Sequence, residues 1–360
     1  MDSRGPLVSV VTPFYNTADY LVECIESVLR QTYDNWEYVL VNNRSTDRSA
    51  EIAEHYVRLY PKKFRLEHNT AFLSQVQNYN HALRLISPKS KYCKLVQADD
   101  LLFPECLSLM VDTAQRDPSI GVVGAYGLEG RDLAFDGLAY PSSTVDGKVV
   151  CRLFFLEDRY VFGSPTQLLL RSDLVLGRAP FYDESYIPFE DAAIIFQLLT
   201  RCNFGFVHQV LTFSRRDNAS IMKSLMDLDC PIAFQLFMQR EFGRAFLEPE
   251  EYREHLYRRE RAYCALLVDG MVALRGREFW KFHRGMLKRM GYTLKSARVW
   301  WFLFLSLCDI VLNPKRGLSL FVHSLWRRLR EWRAGWSARS DSLPEPVSLR
   351  QDEEGHKVAQ

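Results

Sequence analysis

From Leu7 to Gly124 the apolar residues follow two rhythms, short β-branched runs and longer stretches with apolar positions three or four apart. Leu7-Val8-Ser9-Val10-Val11-Thr12, ended by Pro13, reads as a buried central strand. Leu21, Cys24, Ile25, Val28 and Leu29 recur at helical spacing and predict an amphipathic helix over about 18–31. The same two patterns predict strands at 37–41, 64–68, 92–96 and 120–124. They also predict helices after the cap-competent Ser45-Thr46-Asp47, over about 74–85, and after Pro104. Strand and helix alternating in this way predict an α/β fold with a mostly parallel sheet flanked by helices.

From 128 to 150 the pattern dissolves into Gly, Asp, Pro and Ser, which reads as a variable loop region. Order returns in a run at 166–170, a helix across 191–199 and a short strand at 205–207. Beyond Met222 long helical patterns dense in Arg, Phe, Trp and Leu take over. The organisation expected is therefore an α/β domain over 1–222, a helical and partly basic-aromatic region over 223–336, and a polar tail over 337–360. That tail holds two prolines and no apolar periodicity and is expected to be disordered.

Composition narrows the class. With 47% hydrophobic and 25% charged residues this is an ordinary globular chain, and its net charge of +2 gives no reason to expect nucleic acid. The eight cysteines form no CxxC pair and no zinc spacing, so reduced thiols in a reducing compartment are expected. No charged segment followed by a long apolar stretch opens the chain, so no signal peptide is expected. The longest apolar run, from Val299 to Leu312, is broken by Asp309 and falls short of the roughly 20 residues a spanning helix needs. The expected location is the cytoplasm.

Three polar clusters fall at the carboxyl ends of predicted strands, where open α/β sheets bind ligands. They are Thr12-Pro13-Phe14-Tyr15-Asn16, Asn42-Asn43-Arg44-Ser45 and Gln97-Ala98-Asp99-Asp100. No glycine-rich phosphate loop follows the first strand, which disfavours a nucleotidyltransferase or a dinucleotide-dependent dehydrogenase. The adjacent carboxylates of Asp99 and Asp100 repel one another and stay ionised only beside solvent or a cation. Mg²⁺ or Mn²⁺, which take oxygen ligands and complete their shells with substrate phosphates, suit such a pair. The competing reading is a helix cap ahead of Pro104. A second acidic pair, Glu190-Asp191, opens an apolar helix; the helix dipole alone favours carboxylates there, and the functional alternative is a general base acting on a sugar hydroxyl.

The ordered set formed by residues 8–16, the 41–47 loop, Asp99-Asp100, Phe181-Tyr182-Asp183-Glu184 and Phe189-Glu190-Asp191 resembles the inverting family 2 glycosyltransferases over roughly residues 6–222. The resemblance implies the GT-A (nucleotide-diphospho-sugar transferase) fold, a nucleotide-diphospho-sugar donor and a divalent metal. It implies base-pocket roles for Pro13 and Tyr15, and a nucleobase contact from Asn43 where the family has aspartate. Asp99 and Asp100 match the middle and last acids of the metal motif, with Asp100 the direct ligand. Asp191 matches the catalytic base, with Glu190 beside it orienting acceptor or base. Arg215 and Asp217 match a late loop over the phosphates, Asp217 standing where the family often has histidine and adding an oxygen ligand. The departures are Asn42-Asn43 for two aspartates and Gln97 for the motif's first acid. They keep a second reading open, a catalytically weakened transferase-like protein that binds glycan or a partner enzyme.

In the helical region, Trp300-Trp301-Phe302-Leu303-Phe304-Leu305 precedes Lys315-Arg316 and a run in which Phe321, Leu325, Trp326 and Leu329 interleave with Arg327, Arg328, Arg330 and Arg333. Basic residues beside Trp and Leu suit an interfacial helix on anionic lipid, and equally a helical subdomain with arginines on its wet face. The first of these implies peripheral attachment to the inner face of the cell membrane through residues 297–333. The expected function is inverting, metal-assisted sugar transfer to a glycan or lipid-linked acceptor in cell-surface polysaccharide synthesis.

Overall fold

The computed structural model describes residues 5–136, 138–216, 225–292, 297–315, 318, 319 and 322. The chain forms two compact units, one up to Glu260 and one from Arg261 onward. The compositional boundary at Met222, the candidate metal ligand Asp217 and the tail at 337–360 all lie outside the described residues.

The first unit is built on one sheet. Strands β1 (Val8–Phe14), β2 (Trp36–Asn42), β3 (Phe64–His68) and β4 (Tyr92–Leu95) alternate with helices α1 (Ala18–Leu29), α2 (Ser49–Leu59) and α3 (Gln75–Arg84). They pair in parallel in the order β3-β2-β1-β4. Pro13 does not end β1. It stays in register with Val41 of β2, while β4 pairs only as far as Val11. The missing proline N–H therefore falls where β1 no longer has a partner on its β4 side.

Next come β5 (Leu101–Leu102), α4 (Cys106–Arg116), β6 (Ile120–Glu129), β7 (Asp132–Ala134), β8 (Thr144–Val145), α5 (Gly147–Glu157), β9 (Leu169–Arg171), α6 (Ser172–Leu176), α7 (Glu190–Leu198) and β10 (Asn203–Ser214). β9 lies antiparallel between β4 and β6, and β10 runs parallel to β6. The segment expected as loop from 128 to 150 holds the end of β6, two short strands and the start of α5. Its glycines and polar residues hid strands whose ladder comes from β6 and β10. β10 is likewise far longer than the run at 205–207, because its polar outer half pairs with β6 and β5.

Helix α7, which carries Glu190-Asp191, is fixed by aromatic packing. Phe196 meets Phe154 and Phe155 of α5 with ring centroids at 5.2 and 5.0 Å, and Phe242 of helix α8 (Cys230–Phe246) at 5.8 Å. Phe189, at the helix start, packs on Phe234 at 5.1 Å. All but Phe234 of these rings are buried, and each contributes a large apolar area.

Helix α9 (Pro249–Val272) crosses the division between the units, and the second unit continues with α10 (Arg277–Arg289) and α11 (Ala297–Leu312). There the fully buried His283 shares a 2.7 Å hydrogen bond with Tyr263 and packs on Phe279. On α11, Trp300, Trp301, Phe304, Leu307, Val311 and Leu312 are exposed while Phe302 is buried. No helix among the described residues is long and apolar enough to cross a membrane.

Candidate active site

The carboxyl ends of β1 and β2 are tied together by side chains of the two loops that follow them. The Asn16 amide exchanges hydrogen bonds with Thr46, and its backbone N–H donates to Ser45 Oγ. Asp47 receives the backbone N–H of Ala18, at the start of α1, and that of Ser49, at the start of α2. Burial pulls its carboxyl upward, and the bonds from Ser49 and Ala18 outweigh that and hold it below its ordinary value. The polar loop is thus a clamp on two helix N-termini. Pro13 is buried within β1, and Tyr15 projects beside it, 43% exposed.

Asn43 is buried, and its amide is occupied by the loop after β3. Its Oδ1 accepts from Asn69 Nδ2 at 2.9 Å and from the Leu73 N–H at 3.0 Å, and its Nδ2 donates to Leu73 O at 2.9 Å. This anchors the loop so that Phe72 meets Tyr15 edge-to-face at 4.9 Å. Asn42 accepts from the Ser45 N–H and hydrogen-bonds His68 through Nδ2.

Beyond β4, Gln97 is held through both ends of its amide. Nε2 donates to Tyr79 Oη at 3.0 Å and Oε1 accepts from Ser164 Oγ at 3.0 Å, while the Gln97 N–H donates to Thr166 Oγ1. Thr166 belongs to the turn Pro165–Gln167, reached through Gly163 at φ +76°, where a side chain would also press on Gln167. Thr166 and Ser214 both hydrogen-bond Asp100. Asp100 is 4% exposed, and its Oδ2 is buried with no hydrogen-bond partner among the described residues. Burial, with the charge of Asp99 adding to it, pushes its carboxyl up to about 7. A buried, unpartnered carboxylate oxygen beside a second carboxylate fits a hard divalent cation, which would remove both the repulsion and the desolvation cost. Arg215 closes this corner: it donates to Asp99 O at 3.0 Å, pairs with Glu23 and lies over the Tyr20 ring.

Asp191, in the first turn of α7, accepts the Ala192 N–H at 2.7 Å. Burial and then the neighbouring Glu190 charge push its carboxyl up to about 7. Two tyrosines connect the acidic pairs. Burial raises the Tyr79 phenol, and Asp99 and Asp100 add to that; burial likewise raises Tyr182, with Asp191 adding to it. Their rings lie 6.1 Å apart. On the Glu190 side of α7 a cavity of about 290 Å³ is lined by Arg178, Asp183, Tyr186, Glu190 and Gln197 among others.

Residues 9–172 match the sequence profile of glycosyl transferase family 2. Over that segment the chain resembles the family 2 glycosyltransferases. It is 28% identical over 245 residues to the glycosyltransferase GlyG of Streptococcus pneumoniae, covering 62% of this chain and 75% of GlyG. Its likeness to the uncharacterized glycosyltransferase EpsJ of Bacillus subtilis is 31% over 119 residues, a third of the length of each. The structure of S. aureus TarS 1–349 in complex with UDP-GlcNAc superposes with a TM-score of 0.57 at 15% identity, over 91% of this chain and 92% of that one. The transferase therefore has the GT-A fold with a helical C-terminal region. Tyr79, Ser164, Thr166 and Ser214 complete the acidic centre together with Tyr182 of the Phe181-Tyr182-Asp183-Glu184 stretch, and the sequence pattern assigned those first four no role. Those four are scattered over α3, the Pro165–Gln167 turn with its cap Ser164, and the end of β10, and nothing in their local sequence marks them.

Proposed function

We propose that this glycosyltransferase moves a sugar from a nucleotide-diphospho-sugar to a hydroxyl of a glycan or lipid-linked acceptor, with inversion, in cell-surface polysaccharide synthesis. The observation that carries the proposal is the pairing of a cation-suited carboxylate, Asp100, with a carboxylate poised near neutrality, Asp191, on either side of the Tyr79–Tyr182 pair. Asp99 and Asp100 would hold a divalent metal, Mg²⁺ or Mn²⁺, with Asp217 as a further oxygen ligand. When bound, the metal offsets the negative charge that develops on the departing diphosphate.

Asp191 takes the proton of the acceptor hydroxyl as its oxygen forms a bond to the anomeric carbon. The bond from that carbon to the diphosphate oxygen breaks with its electron pair leaving on the nucleotide. A base acting on the face opposite the leaving group reverses the anomeric configuration. A carboxylate with its affinity for protons near the working pH suits that task. Glu190 orients acceptor or base and faces the cavity that Arg178, Asp183 and Tyr186 line, which suits a hydroxylated acceptor. Arg215, which braces Asp99, sits where it can follow the phosphates. Pro13 and Tyr15 line the base side. The TarS complex with UDP-GlcNAc supports a nucleotide-sugar as the donor. Location in the cytoplasm, with α11 on the inner face of the membrane, belongs to the same proposal.

The test is transfer from a panel of nucleotide sugars by Asp100→Asn and Asp191→Asn. Each variant is expected to lose on the order of 10²-fold to 10⁴-fold or more in kcat while keeping the wild-type circular dichroism spectrum. In the wild type, kcat/KM is expected to fall as pH drops through about 7, where Asp191 takes up its proton. Near-normal transfer by either variant overturns its assignment.

A further inference from the structure

We infer that Gln167 is a positioning residue of the donor site: it turns the Ser214 hydroxyl onto Asp100, so that this carboxylate is held with one oxygen left for a cation. The inference rests on the metal reading of Asp100 above and says how the chain keeps that ligand aimed.

The orientation of the Gln167 amide is settled by the main chain. Its Oε1 accepts the Ser164 N–H at 2.8 Å, and a backbone N–H can only donate. Nε2 is therefore the end that faces β10, where it donates to Ser214 Oγ at 3.0 Å and to Thr212 Oγ1 at 3.4 Å. A hydroxyl carries one hydrogen and two lone pairs. With a lone pair of Ser214 Oγ taken by Gln167, the hydrogen is left for the carboxylate that Ser214 meets, Asp100. Thr166 is arranged in the same way: its Oγ1 accepts the Gln97 N–H at 3.0 Å, and it too hydrogen-bonds Asp100.

The two hydroxyls come from separate parts of the fold, the Pro165–Gln167 turn and the end of β10, and Gln167 joins the one to the other. Two donors from different elements fix the rotation of a carboxylate, and the Asp100 N–H is itself tied to Gln97 O at 3.0 Å. Oδ2 is left buried and without a hydrogen-bond partner among the described residues. Gln167 is 1% exposed, and a side chain so buried reaches a bound ligand only through its neighbours. Hydrogen-bond partners of metal-binding side chains are worth about 10–100-fold in metal affinity.

Mn²⁺ binding to the full chain without nucleotide, read from the electron paramagnetic resonance signal of the free ion, tests this without relying on turnover. Ser214→Ala and Gln167→Met are each expected to weaken Mn²⁺ binding by more than about fivefold. The double variant is expected to match Ser214→Ala within about threefold, because Gln167 acts through that hydroxyl. A glutamine that only braced the turn would lower the melting temperature and leave Mn²⁺ affinity where it was. Where Gln167→Met does not fold, Gln167→Asn, one methylene too short to join Ser164 to Ser214, takes its place with the same expectation. Binding within about fivefold of wild type by Ser214→Ala or by the Gln167 variant overturns the inference while leaving the metal site standing. So does a double variant more than about threefold weaker than Ser214→Ala. Absence of Mn²⁺ binding by the wild type overturns the metal reading, and this inference falls with it.

Discussion

Asp100 is a single residue held at a cost in the folded chain, one that the proposed divalent metal would offset. Burial pushes its carboxyl up to about 7 in the folded chain, from 3.8 when free. Below pH 4 it is protonated in both states and the penalty is absent. As pH rises from 4 to 7 the unfolded chain releases its proton first, so this group lowers stability, by at most about 4 kcal/mol above pH 7. Asp100→Asn is therefore expected to raise the melting temperature of the metal-free protein at pH 8 and to change it little at pH 4. Added Mn²⁺ should raise the wild-type melting temperature at pH 8 and leave the variant unmoved. Differential scanning fluorimetry over that pH range reads both effects. Gln97 stands in contrast. It occupies an acid's place in the motif, yet both ends of its amide are satisfied by Tyr79 and Ser164. Its role is to brace the turn that presents Thr166.

At the scale of elements, two helices position the chemistry by different means. α3 begins with a capping box in which Ser74 accepts from the Gln77 N–H while the Gln77 side chain accepts from the Ser74 N–H, and it presents Tyr79. α7 has no side-chain cap and depends on the Phe154, Phe155, Phe196 and Phe242 cluster. The predicted costs differ accordingly. Ser74→Ala is expected to lower stability by about 1 kcal/mol, and Phe196→Ala by about 3–5 kcal/mol. Urea unfolding measures both. At a urea concentration where each variant is folded, Phe196→Ala should also reduce kcat, since α7 carries Asp191. The strand-and-helix alternation up to Gly124 was legible because each element has an apolar face of its own. β5, β7 and β8 were not, because such short strands owe their existence to the ladders of β6 and β10.

At the scale of the molecule, the exposed stripe of α11 lies in the second compact unit. Trp300 and Trp301 are 57% and 55% exposed, and Phe304, Leu307 and Val311 continue the stripe along the helix. Amphipathic helices with aromatic apolar faces and basic neighbours bind anionic lipid surfaces. The full chain is expected to float with vesicles containing phosphatidylserine or another anionic lipid, weakly with neutral ones, and a truncation before Ala297 to remain in the soluble fraction. Equal flotation of the two proteins would sink the membrane proposal.

Sequence alone carried the family resemblance, the strand-end clusters and the two acidic pairs. Those features lie in contiguous stretches whose residue types and order carry the signal. Tertiary structure decided what each side chain does there. It gave Asn43 to the Phe72 loop, Gln97 to the Thr166 turn, and a buried, unpartnered oxygen to Asp100. The physical reason is that hydrogen-bond saturation and desolvation depend on partners 26 to 116 residues away in the chain, such as Asn69 for Asn43 and Arg215 for Asp99, which only folding brings within reach.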